Sequence, residues 1–415
     1  MSLRPRVHAI HLSRYRRVLV RLRLFVPVAV AVLCLGGGLF FIKAGVQPLA
    51  AAERHKMPDG QEIFRFDTFG DEQMWTDRLR MHEVIESAID PVTALSLGLK
   101  VDADALPADL IDAIGAGRVD LTDPATTLAL IRLNAVVGVV GTVEIVDGKD
   151  HLTRVGISCA LCHSTVDNSV APGIGHRLDG WPNLDLDPGK IIAASPAVPD
   201  DAKAVYSSWG PGRYDPRFNI DGRSTPLVIP PAYGLEGVKK ATYTGDGSIS
   251  YWNRYVAVTQ MGGQGSFIDR HLGIHTVHEP DLVEPKLAAL REYQHSLHKP
   301  AAPQGSFDPA AAARGRAIFQ GAATCASCHS GSLYTDANRR LHDPSETGMD
   351  PAYAERTKTG KYRTTPLRGL ITHPPYFHDG SAQSLEDVVN HYDSVLRLGL
   401  TSRQKDDLVE FLKTL

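Results

Sequence analysis

Two pentapeptides of one kind carry the chemistry of this chain: Cys159-Ala160-Leu161-Cys162-His163 and Cys325-Ala326-Ser327-Cys328-His329. Two thiols spaced by two residues, with an imidazole fixed directly behind them, form the attachment signature of c-type haem. The thiols add to the haem vinyl groups as thioethers, and the neighbouring imidazole reaches the iron. A single C-x-x-C also suits a redox disulfide or half of a zinc site. A joint zinc site would leave both histidines without a role and would have to join segments more than 160 residues apart. The motifs therefore predict two covalently bound haem c groups. Cys159, Cys162, Cys325 and Cys328 are the attachment residues, and His163 and His329 are the iron ligands. The fifth cysteine, Cys34, sits in an apolar run without a partner.

That run shapes the expectation for the N-terminus. Residues 1–23 hold seven arginines and no acid, and Leu24 to Ile42 follow as 19 uncharged residues. As a helix they would span about 28 Å, close to the hydrocarbon core of a bilayer. The basic flank would stay in the cytoplasm and the remainder would be delivered outside. A buried core helix and a cleaved signal peptide are the alternatives, but the run exceeds the usual apolar core of a signal peptide, and Ala50-Ala51-Ala52 lies far beyond it. The expectation is an inner-membrane, single-pass protein with its haem domains in the periplasm. Residues 1–45 carry eight of the 44 Lys+Arg and no acid, so the remainder holds 36 against 47 Asp+Glu, a formal −11. An acidic body of that kind argues against nucleic acid as a partner.

The elements that must position the two motifs repeat in order. After the first come Arg223-Ser224-Thr225-Pro226-Leu227, Gly234-Leu235 and Tyr243-Thr244-Gly245-Asp246-Gly247-Ser248. After the second come Arg363-Thr364-Thr365-Pro366-Leu367, Gly369-Leu370 and Tyr376-Phe377-His378-Asp379-Gly380-Ser381. Each copy closes on a helical pattern, Leu290 to Leu297 and Leu408 to Leu415, with apolar residues on one face. Such a repeat predicts two versions of one haem domain in tandem. The fold class expected is mainly α, two tandem cytochrome c-like haem domains after a single N-terminal transmembrane helix. The division is a cytoplasmic basic segment 1–23, an anchor 24–42, an N-terminal haem domain with helical extension 46–298, a linker 299–307 and a C-terminal cytochrome c domain 308–415. Trp75, Leu79, His82 and Ile85 are expected on one buried helix face, Ala311 to Phe319 and Gln383 to Leu396 as helices, and Thr401 as the N-cap of the last.

The second copy resembles the C-terminal haem domain of the bacterial diheme cytochrome c peroxidase/MauG family. The residues that carry the resemblance are Cys325 to His329, Thr365-Pro366-Leu367-Arg368-Gly369-Leu370, Pro375 to Ser381 and Leu385-Glu386-Asp387-Val388-Val389. The first copy is similar only through its haem motif and the weaker repeat. The resemblance implies that the first haem activates peroxide or oxygen while the second relays electrons from a small redox protein or a respiratory-chain donor. It implies Tyr392 as second ligand of the second iron, where the peroxidases have methionine. Phenolate is a hard anionic ligand that suits ferric iron. His391 beside it is a weaker candidate. A calcium ion between the domains rests on the family alone.

The resemblance fails at one place. The family uses a glutamate after the first D-G motif as the acid–base group of peroxide cleavage. Between Asp246 and Leu272 the one carboxylate is Asp269. Gln260 and Gln264 stand nearer the expected place, and an amide cannot shuttle a proton in that way. Met261 is an alternative ligand that would close the first iron, and His271, His275 and His278 are further candidates. The family also implies a tryptophan relay between the haems, with Trp209 as first candidate and Trp181 as second. Three functions follow: a peroxidase- or oxidase-type oxidoreductase, a pure electron carrier with both irons closed, and a haem-based gas-binding module.

Overall fold

The computed structural model describes residues 59–415. The described part opens with a short helix, Gly60–Phe66, capped by the Asp59 carboxylate on the Gln61 amide. A single turn of π-helix, Gln73–Arg78, follows it. The expected face of Trp75, Leu79 and Ile85 does pack into one apolar cluster. The helix that was to carry it is broken, because Arg80 takes a left-handed conformation (φ 56°) before a new helix starts at Met81.

The expectation of a mainly α chain behind a transmembrane helix is corrected on two counts. Five two-stranded sheets run through the described residues. The largest is the antiparallel hairpin of Val139–Val146 and Lys149–Ile157. Its turn, Asp147-Gly148, has φ of 52° and 76°, the left-handed pair that a tight hairpin turn requires. A valine-rich run ahead of an Asp-Gly pair, with Leu152, Val155 and Ile157 after it, was the sequence signal for it. Among the described residues no helix is long and apolar enough to cross a membrane. The longest have 12 residues, about 18 Å at 1.5 Å each against a roughly 30 Å core. The run Leu24 to Ile42 lies outside the described residues, so single-pass anchorage in the inner membrane has no support in the structure.

Three apolar clusters build the body. One gathers Phe64, Val137, Trp252, Tyr255 and Met261 around Ala160. The second packs Trp75, Ile114, Leu130, Leu152 and Ile174 around Leu161. The third joins Phe319, Leu385, Val389, Leu408 and Phe411. The described residues fall within one compact unit. The internal repeat is visible in its backbone bonds. The Gly234 amide donates to the Leu297 carbonyl at 2.7 Å, and the Gly369 amide donates to the Leu415 carbonyl at 2.9 Å. Each bond ties the glycine after its copy's Thr-Pro-Leu to the end of that copy's closing helix.

In the third cluster the helix Pro309–Gln320 crosses Ser402–Lys413 at Gly315. A Cβ there would lie 1.9 Å from the Asp407 carbonyl oxygen, so only hydrogen fits. Thr401 caps the second of these helices through its side chain, and Ser384 caps Leu385–Leu396 in the same way. Gly315→Ala should therefore destabilise by about 1–3 kcal/mol through overpacking, read from urea unfolding.

Asp71 shows the opposite problem. Its carboxyl is fully buried beneath the hairpin, where its oxygens accept from the Ile157 amide at 3.2 and 3.3 Å. Burial, with Glu72 and Asp67 adding repulsion, pushes its pKa up to about 9 against the opposing Ile157 bond. Unfolded, the same group ionises near pH 4. Between those values the folded state holds the extra proton, so the Asp71 contribution to stability falls as pH rises from about 4 to 9. Asp71→Asn keeps the acceptor and removes the titration. The stability of the variant relative to wild type should climb across that window, and a difference independent of pH would refute the assignment.

Candidate haem centres

The first motif leaves the hairpin directly. The Ser158 amide donates to the Gly138 carbonyl at 3.0 Å, and Ala160–His163 form one helical turn. Gly138, at φ 76°, lies so close that a Cβ would meet the Leu161 nitrogen at 2.1 Å. Ala160 points into the first apolar cluster and Leu161 into the second, so the motif is wedged between two cores. Burial pushes the Cys159 and Cys162 thiols up to about 12.

His163 is pinned by its Nδ1, 3.1 Å from the Pro230 carbonyl oxygen. A carbonyl only accepts, so Nδ1 carries the proton. Burial lowers the imidazole to about 4, the Pro230 bond opposing. The ring is therefore neutral at pH 7 and its Nε2 lone pair is free to bind a metal. The second motif reproduces this arrangement with different partners. Cys325–Ser327 form a 3₁₀ turn after Thr324, which sits at φ 51°. His329 Nδ1 lies 3.0 Å from the Tyr334 carbonyl oxygen, and burial again lowers the ring to about 4. A thiol pair followed by a histidine whose Nε2 is ready for a metal fits a covalently held, iron-bearing ring at each motif.

Tyr392, on the helix Leu385–Leu396, is half-buried. Burial raises its phenol well above the usual range, and the neighbouring Cys325 and Cys328 add to the rise. The fold thus brings Tyr392 to the second motif. His391 turns elsewhere, its Nε2 2.8 Å from the Thr347 carbonyl. Met261 is buried in the cluster against which Cys159 packs, and its carbonyl accepts the Trp75 indole N–H at 3.1 Å.

The remaining candidates separate. Asp269 accepts from the Tyr251 hydroxyl at 2.9 Å and lies 3.6 Å from Lys358. Burial works against its charge, but these partners hold it below the usual carboxylate range. Gln260 accepts from the Tyr214 hydroxyl at 2.9 Å, and Gln264 accepts from Gln73 at 3.2 Å. His271, His275 and His278 are all exposed. Trp209 is buried in an aromatic nest with Tyr206, Tyr214 and Phe218, its N–H on Ser224 at 3.0 Å. Trp181 instead meets Tyr233 edge-on at 6.0 Å, and Tyr233 leads to His373 at 6.5 Å and then Tyr376 at 5.8 Å.

Two features had no sequence signal. Tyr214 is brought beside Cys162 by the pairing of Arg213–Tyr214 with Leu227–Val228, and burial raises its phenol strongly. Near Cys328, buried His342 has Asp336 at 3.0 Å on Nε2 and Glu346 at 3.2 Å on Nδ1. Cys328, Asp336 and His342 are the one group of three potential metal ligands among the described residues. Sulfur and imidazole are poor donors for calcium, so that ion has no assigned ligands.

The two copies are bolted together by Arg356. Its guanidinium, without exposed surface, reaches Asp215 and Asp221 at 2.8 Å each and the Arg223 carbonyl at 2.7 Å. Arg356→Ala would leave Asp215 buried and unpaired, with an expected loss of about 3–5 kcal/mol in chemical unfolding. Arg356→Lys should recover only part of it, lacking the fork.

No protein-family model matches the chain. It is 34% identical over 153 residues to the methylamine utilization protein MauG of Methylorubrum extorquens, covering 31% of this chain and 43% of that protein. It is 30% identical over 151 residues to the cytochrome-c peroxidase IdrP1 of Denitromonas iodatirespirans, covering 26% of this chain and 40% of that one. Among solved structures, a hydrazine synthase chain of Kuenenia stuttgartiensis aligns at TM-score 0.33 and 22% identity, over 46% of this chain and 73% of that chain. The chain spans less than half the length of the curated relatives it matches.

Proposed function

From its kinship with the diheme cytochrome c peroxidase/MauG family, we propose that the chain is an oxidoreductase built on two covalent c-type haems, the first site activating peroxide or oxygen and the second relaying electrons. The observation that carries this reading is the matched pair of neutral histidines, each held through Nδ1 by a backbone carbonyl. Cys159 and Cys162 would attach the first group and Cys325 and Cys328 the second, with His163 and His329 as ligands and Tyr392 the second ligand at the second iron. When bound, such groups supply iron that exchanges single electrons and takes up an oxygen donor where a coordination position is open.

The protein's own part is positional. The carbonyls of Pro230 and Tyr334 fix each imidazole in one tautomer. The apolar clusters around Ala160 and Leu161 keep bulk water from the first motif. For the relay we favour Trp181 over Trp209: Trp181 adjoins Gly180, whose amide donates to the His163 carbonyl at 2.8 Å, and its stack with Tyr233 runs on toward Tyr376 of the second copy. A small redox protein would be the electron donor.

A second reading, a pure electron carrier, is favoured by Asp269. Tyr251 and Lys358 hold that carboxylate in its charged form, so it is poorly suited to donate a proton. Electron paramagnetic resonance of the ferric protein separates the two. A high-spin signal supports the enzyme, and two low-spin irons in every redox state leave the carrier. Tyr392→Phe should alter the absorption of one haem and leave the other unchanged. Identical spectra would remove Tyr392 from the iron.

A further inference from the structure

A cavity of about 300 Å³ lies in the segment ahead of the first motif, between the helices Ala108–Gly115 and Pro124–Arg132. Leu95, Val101, Leu110, Ile114, Leu130 and Ile174 line it, and the one polar side chain among its walls is Thr126. That hydroxyl is already spent, donating to the Asp120 carbonyl at 2.8 Å. No side chain in the walls is left to donate a hydrogen bond to an occupant. Water needs two to four polar partners, and an apolar cavity of about 150 Å³ already takes a benzene ring. A charged or hydrogen-bonding guest would lose its hydration here without compensation.

The walls belong to the apolar cluster that also contains Leu161 and packs against Cys162. The parallel pair Val101 and Ile174 forms part of the wall. Exposed Ala125 and Ala129 make a mouth of small side chains. The same two helices and their connection expose Asp109, Asp112, Asp120 and Asp123. Exposed Arg118 and Arg132 stand against them, so the surround is polar and on balance acidic, which disfavours anions such as fatty acids and is unlike a broad apolar protein interface.

We propose that this cavity binds a small, uncharged, hydrocarbon-like molecule, of one or two rings or a short alkyl chain, against the apolar wall that continues to the first haem motif. The test uses the full chain carrying its haems, with benzene as the probe and sodium benzoate as its charged counterpart. Benzene at about five times its Kd should raise the melting temperature saturably, by roughly 1–2 °C for a chain of this size, and benzoate should not. Ala129→Phe and Leu110→Trp, which fill the cavity, should each abolish the rise while keeping the far-ultraviolet circular dichroism of the parent. The proposal is overturned if benzene gives no saturable rise, if benzoate matches it, or if a folded filled variant retains it. A wild-type dimer in sedimentation that Ala129→Phe dissociates would assign the opening to a second copy and would equally overturn it. The benzene–benzoate comparison on wild type decides the matter even where both variants fail to fold.

Discussion

Arg356 holds the structure's central constraint. Its planar fork meets two aspartates and a carbonyl, all supplied by the loop between Tyr214 and Thr225. A lysine head group offers one point charge and could not satisfy that set. The loop leads on to Leu227–Val228 and then to Pro230, whose carbonyl pins His163. A residue of the second copy thus stabilises the backbone that orients the first copy's histidine. Val228 adds a direct tie, its amide donating to the His378 carbonyl at 2.8 Å. Because the guanidinium and Asp215 are both buried, the pair stands only while each partner is present, and that makes the junction all-or-none.

The two centres share a design and differ in their surroundings. At both, a carbonyl selects the tautomer and burial keeps the ring neutral. Around the first motif the neighbours are apolar clusters, with Tyr214 and Gln260 as a polar pair. Around the second, His342 lies between two carboxylates, Asp336 on Nε2 and Glu346 on Nδ1. This buried polar cluster next to Cys328 has no histidine counterpart at the first motif, where Asp67 and Asp71 are the charged neighbours of Cys159. Equal motifs in unequal dielectric surroundings are a physical basis for unequal roles.

Much of this was readable from the residues, where the information is local. The attachment motifs, the capping threonine at 401 and the amphipathic stretch from Pro309 to Gln320 depend on neighbours within a few positions. The transmembrane expectation rested on apolar length alone and has no support among the described residues. The hairpin departs from the helix-dominated expectation; its signal, Asp147-Gly148, is a two-residue turn that helical spacing does not register. Tyr214, His342 and the contrast between Trp181 and Trp209 were out of reach. Each is set by which loop lies against which, through contacts such as Arg356 to Asp215 that span 141 positions. No spacing rule encodes that distance.

The burial of the first motif also imposes an order of events during biogenesis. Ala160 and Leu161 are locked into two separate cores, and Gly138 closes on Leu161 without room for a methyl group. A bulky planar ring could not be threaded into this wedge once it had set. The thiols, raised to about 12, would also be poor nucleophiles there. If haem is held at Cys159 and Cys162 as proposed, its attachment would belong to the open chain, and the finished fold would act as a seal over a modification made before it.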